Sequence, residues 1–132
     1  MKLVLQRAVA DCGICALATF AELAYEDVYI IAAKIDTSRR GKGGATWEVV
    51  GRIAEGLGFT PRLNPEPSLE DDSGLLAVRW KRGSKHYQKP FREHLVALDH
   101  GVIADPADGL ILPVAEYLTR CRATATTLME LQ

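Results

Sequence analysis

The apolar pattern of this chain changes period near Gly58, and that change limits the folds open to it. Before Gly58 the spacing is helical. Ile14, Leu17, Ala18, Phe20, Ala21 and Ala24 surround most of a helix over residues 12–24, which predicts a buried helix with Asp11 as its N-cap. Val28, Ile31 and Ile35 predict a second helix over 25–35. Val49, Val50, Ile53 and Leu57 line one side of a third, with Thr46 as its cap and Gly58 as its left-handed stop. After Gly58 the runs shorten and read as strands over 59–63, 75–80, 94–99, 102–105, 110–112 and 123–129. A short helix over 113–120, with Pro113 in its first turn, interrupts them. Helices first and strands afterwards predict an α+β fold, with N-terminal helices packed on a C-terminal, mainly antiparallel sheet. No internal repeat or linker divides residues 1–132, so one domain is expected.

The net charge of −1 implies no bulk attraction to nucleic acid or to an anionic membrane. Two basic clusters, Arg39-Arg40-Gly41-Lys42 and Lys81-Arg82-Gly83-Ser84-Lys85, sit among Gly and Ser and read as solvated loops. Only Leu3, Val4 and Leu5 precede Gln6 and Arg7, too short a run for a signal peptide. No stretch approaches the roughly 18 apolar residues of a membrane span. The three cysteines have no spacing suited to zinc. A chain without export signals and with sparse cysteine is expected in a reducing, cytoplasmic setting.

Chemistry concentrates around Cys12. The first turn of a helix offers unpaired N–H groups and the positive end of the macrodipole, both of which favour a thiolate. Gly13 lets the backbone approach a ligand closely, so the Cys12 N–H and the Gln6 side-chain amide could together hold an oxyanion. Asp11 acts the other way, because a neighbouring carboxylate disfavours the thiolate; a nearby imidazolium has to outweigh it. That imidazole is expected from a hairpin. With His100-Gly101 as a two-residue turn, Asp99 pairs with Val102, Leu98 with Ile103 and Ala97 with Ala104. This register makes Asp105 the diagonal cross-strand neighbour of His94 on one face. Cys12, His94 and Asp105 then have the logic of a catalytic triad.

Other readings of the same residues stay open. A cysteine at a helix start can be a small buried hydrophobe, and a His beside an Asp can be a purely structural pair. Cys12 and Cys15 spell C-G-I-C, a redox spacing, but Cys15 one turn into the helix reads as core. Cys121 reads as inert, His100 as a turn residue and His86 as a loop residue. Trp47, Trp80, Tyr87 and Phe91 could rim a substrate cleft, with core packing the other role for the tryptophans.

Taken in order, Gln6, Asp11-Cys12-Gly13 with its small-residue helix, His94-Leu95-Val96 and Asp105-Pro106-Ala107 resemble the bacteriocin-processing peptidases, family C39. The segment from Gly44 to Phe59, a Thr-capped helix ending in Leu57-Gly58-Phe59, is similar to that family as well. The resemblance implies a papain-like fold with Cys12 as nucleophile, His94 as general base, Asp105 as orienting acid and Gln6 as oxyanion donor. It implies no cofactor and a peptide or protein substrate, in the family a leader peptide cut after a double glycine. Many members are joined to an ABC exporter. The 132 residues hold neither a membrane domain nor an ATPase, so a stand-alone domain of unassigned oligomeric state is expected. The link from His94 to Asp105 is short for the family. Deamidases and acyltransferases share the geometry, and a non-catalytic peptide-binding module could retain it.

Overall fold

The computed structural model describes residues 1–7, 12–35, 47–84 and 93–132. The expected caps Asp11 and Thr46, the basic cluster at 39–42, and Lys85, His86, Tyr87 and Phe91 lie outside the described residues. In chain order the elements are α1 (Cys12–Ala21), α2 (Tyr25–Ile35), α3 (Trp47–Gly56), β1 (Pro61–Asn64), β2 (Ser73–Trp80), β3 (Glu93–Asp99), β4 (Val102–Asp105), β5 (Leu110–Pro113), α4 (Val114–Cys121) and β6 (Ala123–Leu131). The strands form one sheet in the order β1-β6-β2-β3-β4-β5, and every pairing is antiparallel. The α+β class expected from the change of period is the class observed.

Strand alternation divides the core between the two faces of this sheet. Leu75, Met129 and Leu131 pack with Ala16, Leu17, Val28, Val50 and Ile53 of the first three helices. Leu76, Val78, Trp80, Val96, Leu98 and Ile103 turn to the other face and meet Val114, Tyr117 and Cys121 of α4. A register shift between Leu76 and Val78, opposite β6, keeps Ala123 and Leu128 in the same apolar cluster although an odd number of steps separates them. Trp47 is partly buried against the helical cluster and Trp80 is buried, so the tryptophans serve the core.

Several boundaries differ from expectation, β1 (Pro61–Asn64), β2 (Ser73–Trp80) and β6 (Ala123–Leu131) among them, and two of the helix boundaries have a visible cause. α1 stops at Ala21 rather than 24, because Glu22 takes a φ of 57° and Leu23 N–H closes back onto Ala18 C=O at 2.9 Å. This is a Schellman ending built on a residue other than glycine. α3 ends the same way at the expected place, with Gly58 at φ 97° and Phe59 N–H bonded to Ala54 C=O at 3.0 Å. Pro113 is not in the first turn of α4. Its ψ of 144° is extended, so it closes β5 and the helix begins at Val114.

The hairpin takes the expected register: Asp99 opposite Val102, Leu98 opposite Ile103 and Ala97 opposite Ala104. His100 and Gly101 have φ of 44° and 85°, the two positive values that a type I′ turn requires.

Candidate active site

Asp105 closes β4 and is fully buried. A carboxylate without water needs donors, and three elements supply them. His94 Nε2 lies 2.7 Å from Oδ1. The Ala107 N–H donates to the same oxygen at 2.9 Å, an Asx turn made possible by the Pro106–Gly109 reversal. The Tyr117 hydroxyl donates to Oδ2 at 2.5 Å. Burial pushes the Asp105 carboxyl up, but the His94 hydrogen bond and charge, with Tyr117 and Ala107, bring it below the usual carboxylate range. Asp105 is therefore ionised at neutral pH.

His94 lies at the start of β3, on the face it shares with Val96 and Leu98, and is 8% exposed. With Nε2 turned to Asp105, Nδ1 is the ring nitrogen left for Cys12, and a hydrogen bond joins the imidazole to that thiol. Burial pulls the His94 pKa down. The hydrogen bonds to Asp105 and Cys12 and their negative charges outweigh it and raise the pKa to about 10.

Cys12 opens α1, which packs across β3, and is partly exposed. Burial raises its pKa; the His94 hydrogen bond and charge, followed by the Leu95 and Gly13 backbone N–H groups, lower it by more, and the net shift is downward. The two partners move in opposite directions, as a thiolate–imidazolium pair requires. Exposure falls from Cys12, which is partly exposed, through His94 to the fully buried Asp105. The arrangement can supply a thiolate, a proton held at imidazole and a fixed carboxylate.

The segment carrying Gln6 is held on both sides. Cys15, fully buried in α1, turns its thiol to Leu5 C=O at 3.6 Å. Thr19 receives the Val4 N–H on its hydroxyl at 2.9 Å. Arg7 lies 4.2 Å over the Tyr25 ring and 2.8 Å from Glu26. The Gln6 N–H bonds Pro106 C=O at 2.9 Å, the residue after the buried acid. One turn therefore fixes both Asp105 and the backbone of Gln6. All three cysteines are free, and Cys121 is buried on α4.

Sequence reasoning misses two residues that touch the site. Tyr117 carries a usable signal: with Val114 and Cys121 it forms the apolar stripe of α4, and a phenol on such a stripe needs a partner for its hydroxyl. For Trp80 the sequence suggests only a place at the rim or in the core, yet its ring stacks on His94, with centroids 5.6 Å apart. Among the described residues, no His, Cys, Asp and Glu cluster could hold a metal ion, and no helix is long and apolar enough to cross a membrane.

The architecture is similar to that of two solved peptidase domains. The peptidase domain of Streptococcus ComA, a bi-functional ABC transporter involved in a quorum sensing pathway, matches with a TM-score of 0.61 at 20% identity, covering 98% of this chain and 96% of that one. The peptidase domain of Streptococcus mutans ComA matches with a TM-score of 0.55, also at 20% identity, covering 100% of this chain and 99% of that one. No protein-family model and no curated protein matches the chain. At this identity the likeness is one of fold: the α+β, papain-like arrangement implied by the C39 resemblance is the arrangement of these domains.

Proposed function

We propose that this chain is a cysteine peptidase of the C39 type, acting as one domain on a peptide or leader-peptide substrate. The observation that carries the reading is the continuous hydrogen-bonded line from Cys12 through His94 to the buried Asp105. The Cys12 thiolate attacks the scissile carbonyl carbon, and the carbonyl π electrons move onto oxygen. The Gln6 amide and the Cys12 N–H hold that oxyanion. As it collapses, the C–N bond breaks and His94 gives its proton to the departing amine, leaving a thioester on Cys12. Neutral His94 then takes a proton from water, which hydrolyses the thioester and restores the ion pair. Asp105 keeps the imidazole plane and tautomer fixed throughout. The proposal includes a reducing, cytoplasmic setting, in which the Cys12 thiol stays available as a nucleophile.

The test is a peptide library incubated with wild type and with Cys12→Ala, read by mass spectrometry. Cleavage confined to the wild type supports the peptidase and reveals its sequence preference. Ammonia release, or acyl transfer to an added amine, without cleavage overturns the peptidase in favour of a deamidase or acyltransferase. Failure of iodoacetamide to label Cys12 faster than a free thiol overturns every enzymatic version.

A further inference from the structure

Tyr117 is fully buried, and nothing in the proposed chemistry uses it. Its ring belongs to the apolar cluster that α4 forms with Leu76, Val96, Leu98 and Ile103. A phenylalanine would fill that space equally well, so packing explains the ring but not the hydroxyl. The hydroxyl is spent on the triad acid: it donates to Asp105 Oδ2 at 2.5 Å, while His94 and the Ala107 N–H take Oδ1. The three donors come from α4, β3 and the turn after β4, and together they pin the carboxylate in its plane.

We infer that Tyr117 is a positioning residue of the proposed triad, whose hydroxyl fixes Asp105 and draws charge from it, and so sets the basicity of His94. The inference rests on the peptidase reading for its consequence in catalysis, though not for its effect on His94. The phenol is suited to the task because it stays protonated. Burial raises its pKa, and the charges of Asp105, Cys121 and Asp108 raise it further, so it remains a donor across the working range. The groups facing His94 are Asp105 from β4 and Cys12 from α1, with the Trp80 ring stacked on it from β2. Of these, the Tyr117 hydroxyl bonds Asp105, and its removal leaves the full carboxylate charge directed at the imidazole.

The test is the titration of His94 followed by NMR of histidine-15N-labelled full-length protein. In Tyr117→Phe the His94 pKa is expected to rise by about half a unit to one unit. With 3,5-difluorotyrosine placed at 117, a more acidic donor, it is expected to fall below the wild-type value. A purely structural tyrosine predicts neither shift, and still less two shifts of opposite sign. Unchanged His94 titration in both proteins overturns the inference. If Tyr117→Phe does not fold, the fluorinated protein alone decides, since it keeps both ring and hydroxyl. Iodoacetamide labelling of wild-type Cys12 is run in parallel. Slow labelling overturns the peptidase reading, while the His94 shifts still decide the role of Tyr117.

Discussion

The indole of Trp80 stacks on the imidazole of His94, with ring centroids 5.6 Å apart and planes inclined by 24°. The contact follows from register. Val78 sits opposite His94 in the β2–β3 ladder, so Trp80 is the diagonal neighbour two residues further along the same face. Only 6% exposed, the indole covers the imidazole that carries the bond to Asp105. Trp80→Ala is expected to cost about 3–5 kcal/mol of stability. Trp80→Phe keeps a ring against His94 and is expected to lose clearly less. Urea unfolding of the two variants measures the difference, and equal losses would show that a ring against His94 adds nothing to stability.

The parts of this site that are legible in the sequence are those set by short-range rules. His100-Gly101 accepts the two positive φ values of a type I′ turn, and once that turn is placed the strand period alone carries Asp105 to His94. Gly58 ends α3 for a similarly local reason. What escapes depends on contacts between distant elements. The end of α1 is an exception: it is local, but Glu22 takes the left-handed conformation there with no glycine to announce it. The Tyr117 hydroxyl finds Asp105 only because α4 folds back over β4, and Trp80 finds His94 only through the β2–β3 register. The irregularity in β6 opposite Leu76 and Val78 has no signature in the alternation of its residues.

Stability should report the ion pair through its dependence on pH. The His94 pKa is raised on folding to about 10, so taken alone its contribution is complete below about 6.5 and lost as pH rises through the folded value. The Cys12 pKa is lowered, so its contribution is complete above about 8.5 and lost as pH falls through its folded value. Between about 6.5 and 8.5 the folded and unfolded pair each hold one proton, and the two slopes cancel. Stability linked to the pair is therefore expected to be flat in that window and to fall from about pH 8.5 towards 10. In Cys12→Ala the fall should begin near pH 6.5, because only the histidine remains. Urea midpoints measured from pH 6 to 10 check this. A decline that starts at the same pH in both proteins would mean that Cys12 and His94 do not share a proton.

Asp105→Asn removes the charge while keeping the size of the side chain. The imidazolium loses its main opposing charge, and His94 should titrate well below its wild-type value. Cys12 then loses the cation that lowers its pKa. Iodoacetamide labelling at neutral pH is expected to slow by about 100-fold. An unchanged rate would detach the carboxylate from the reactivity of the thiol.

Gly101 has φ 85°, and a Cβ there would stand 2.6 Å from Glu70 Oε2. That oxygen is the end of a flexible side chain and can swing away, so the cost of Gly101→Ala is mainly backbone strain, about 1–2 kcal/mol. His100→Asn at φ 44° should act oppositely, by a few tenths of a kcal/mol, since asparagine tolerates the left-handed region better. Thermal unfolding of both variants tests whether this turn holds the register that brings Asp105 to His94.

Gln6 can be separated from the thiolate by choosing the reaction. Alkylation by iodoacetamide displaces iodide at a saturated carbon and builds no oxyanion, so it depends on the state of Cys12 alone. Peptide cleavage passes through a tetrahedral oxyanion, which the Gln6 amide would stabilise by an amount typical of one such donor, about 100- to 1000-fold in kcat. Gln6→Ala is therefore expected to label at the wild-type rate and to lose cleavage by that factor, with KM little changed. The backbone bond from the Gln6 N–H to Pro106 C=O survives the substitution, so the segment should stay in place. If labelling and cleavage fall together, Gln6 acts by supporting the structure around Cys12. If neither falls, the second oxyanion donor is not Gln6.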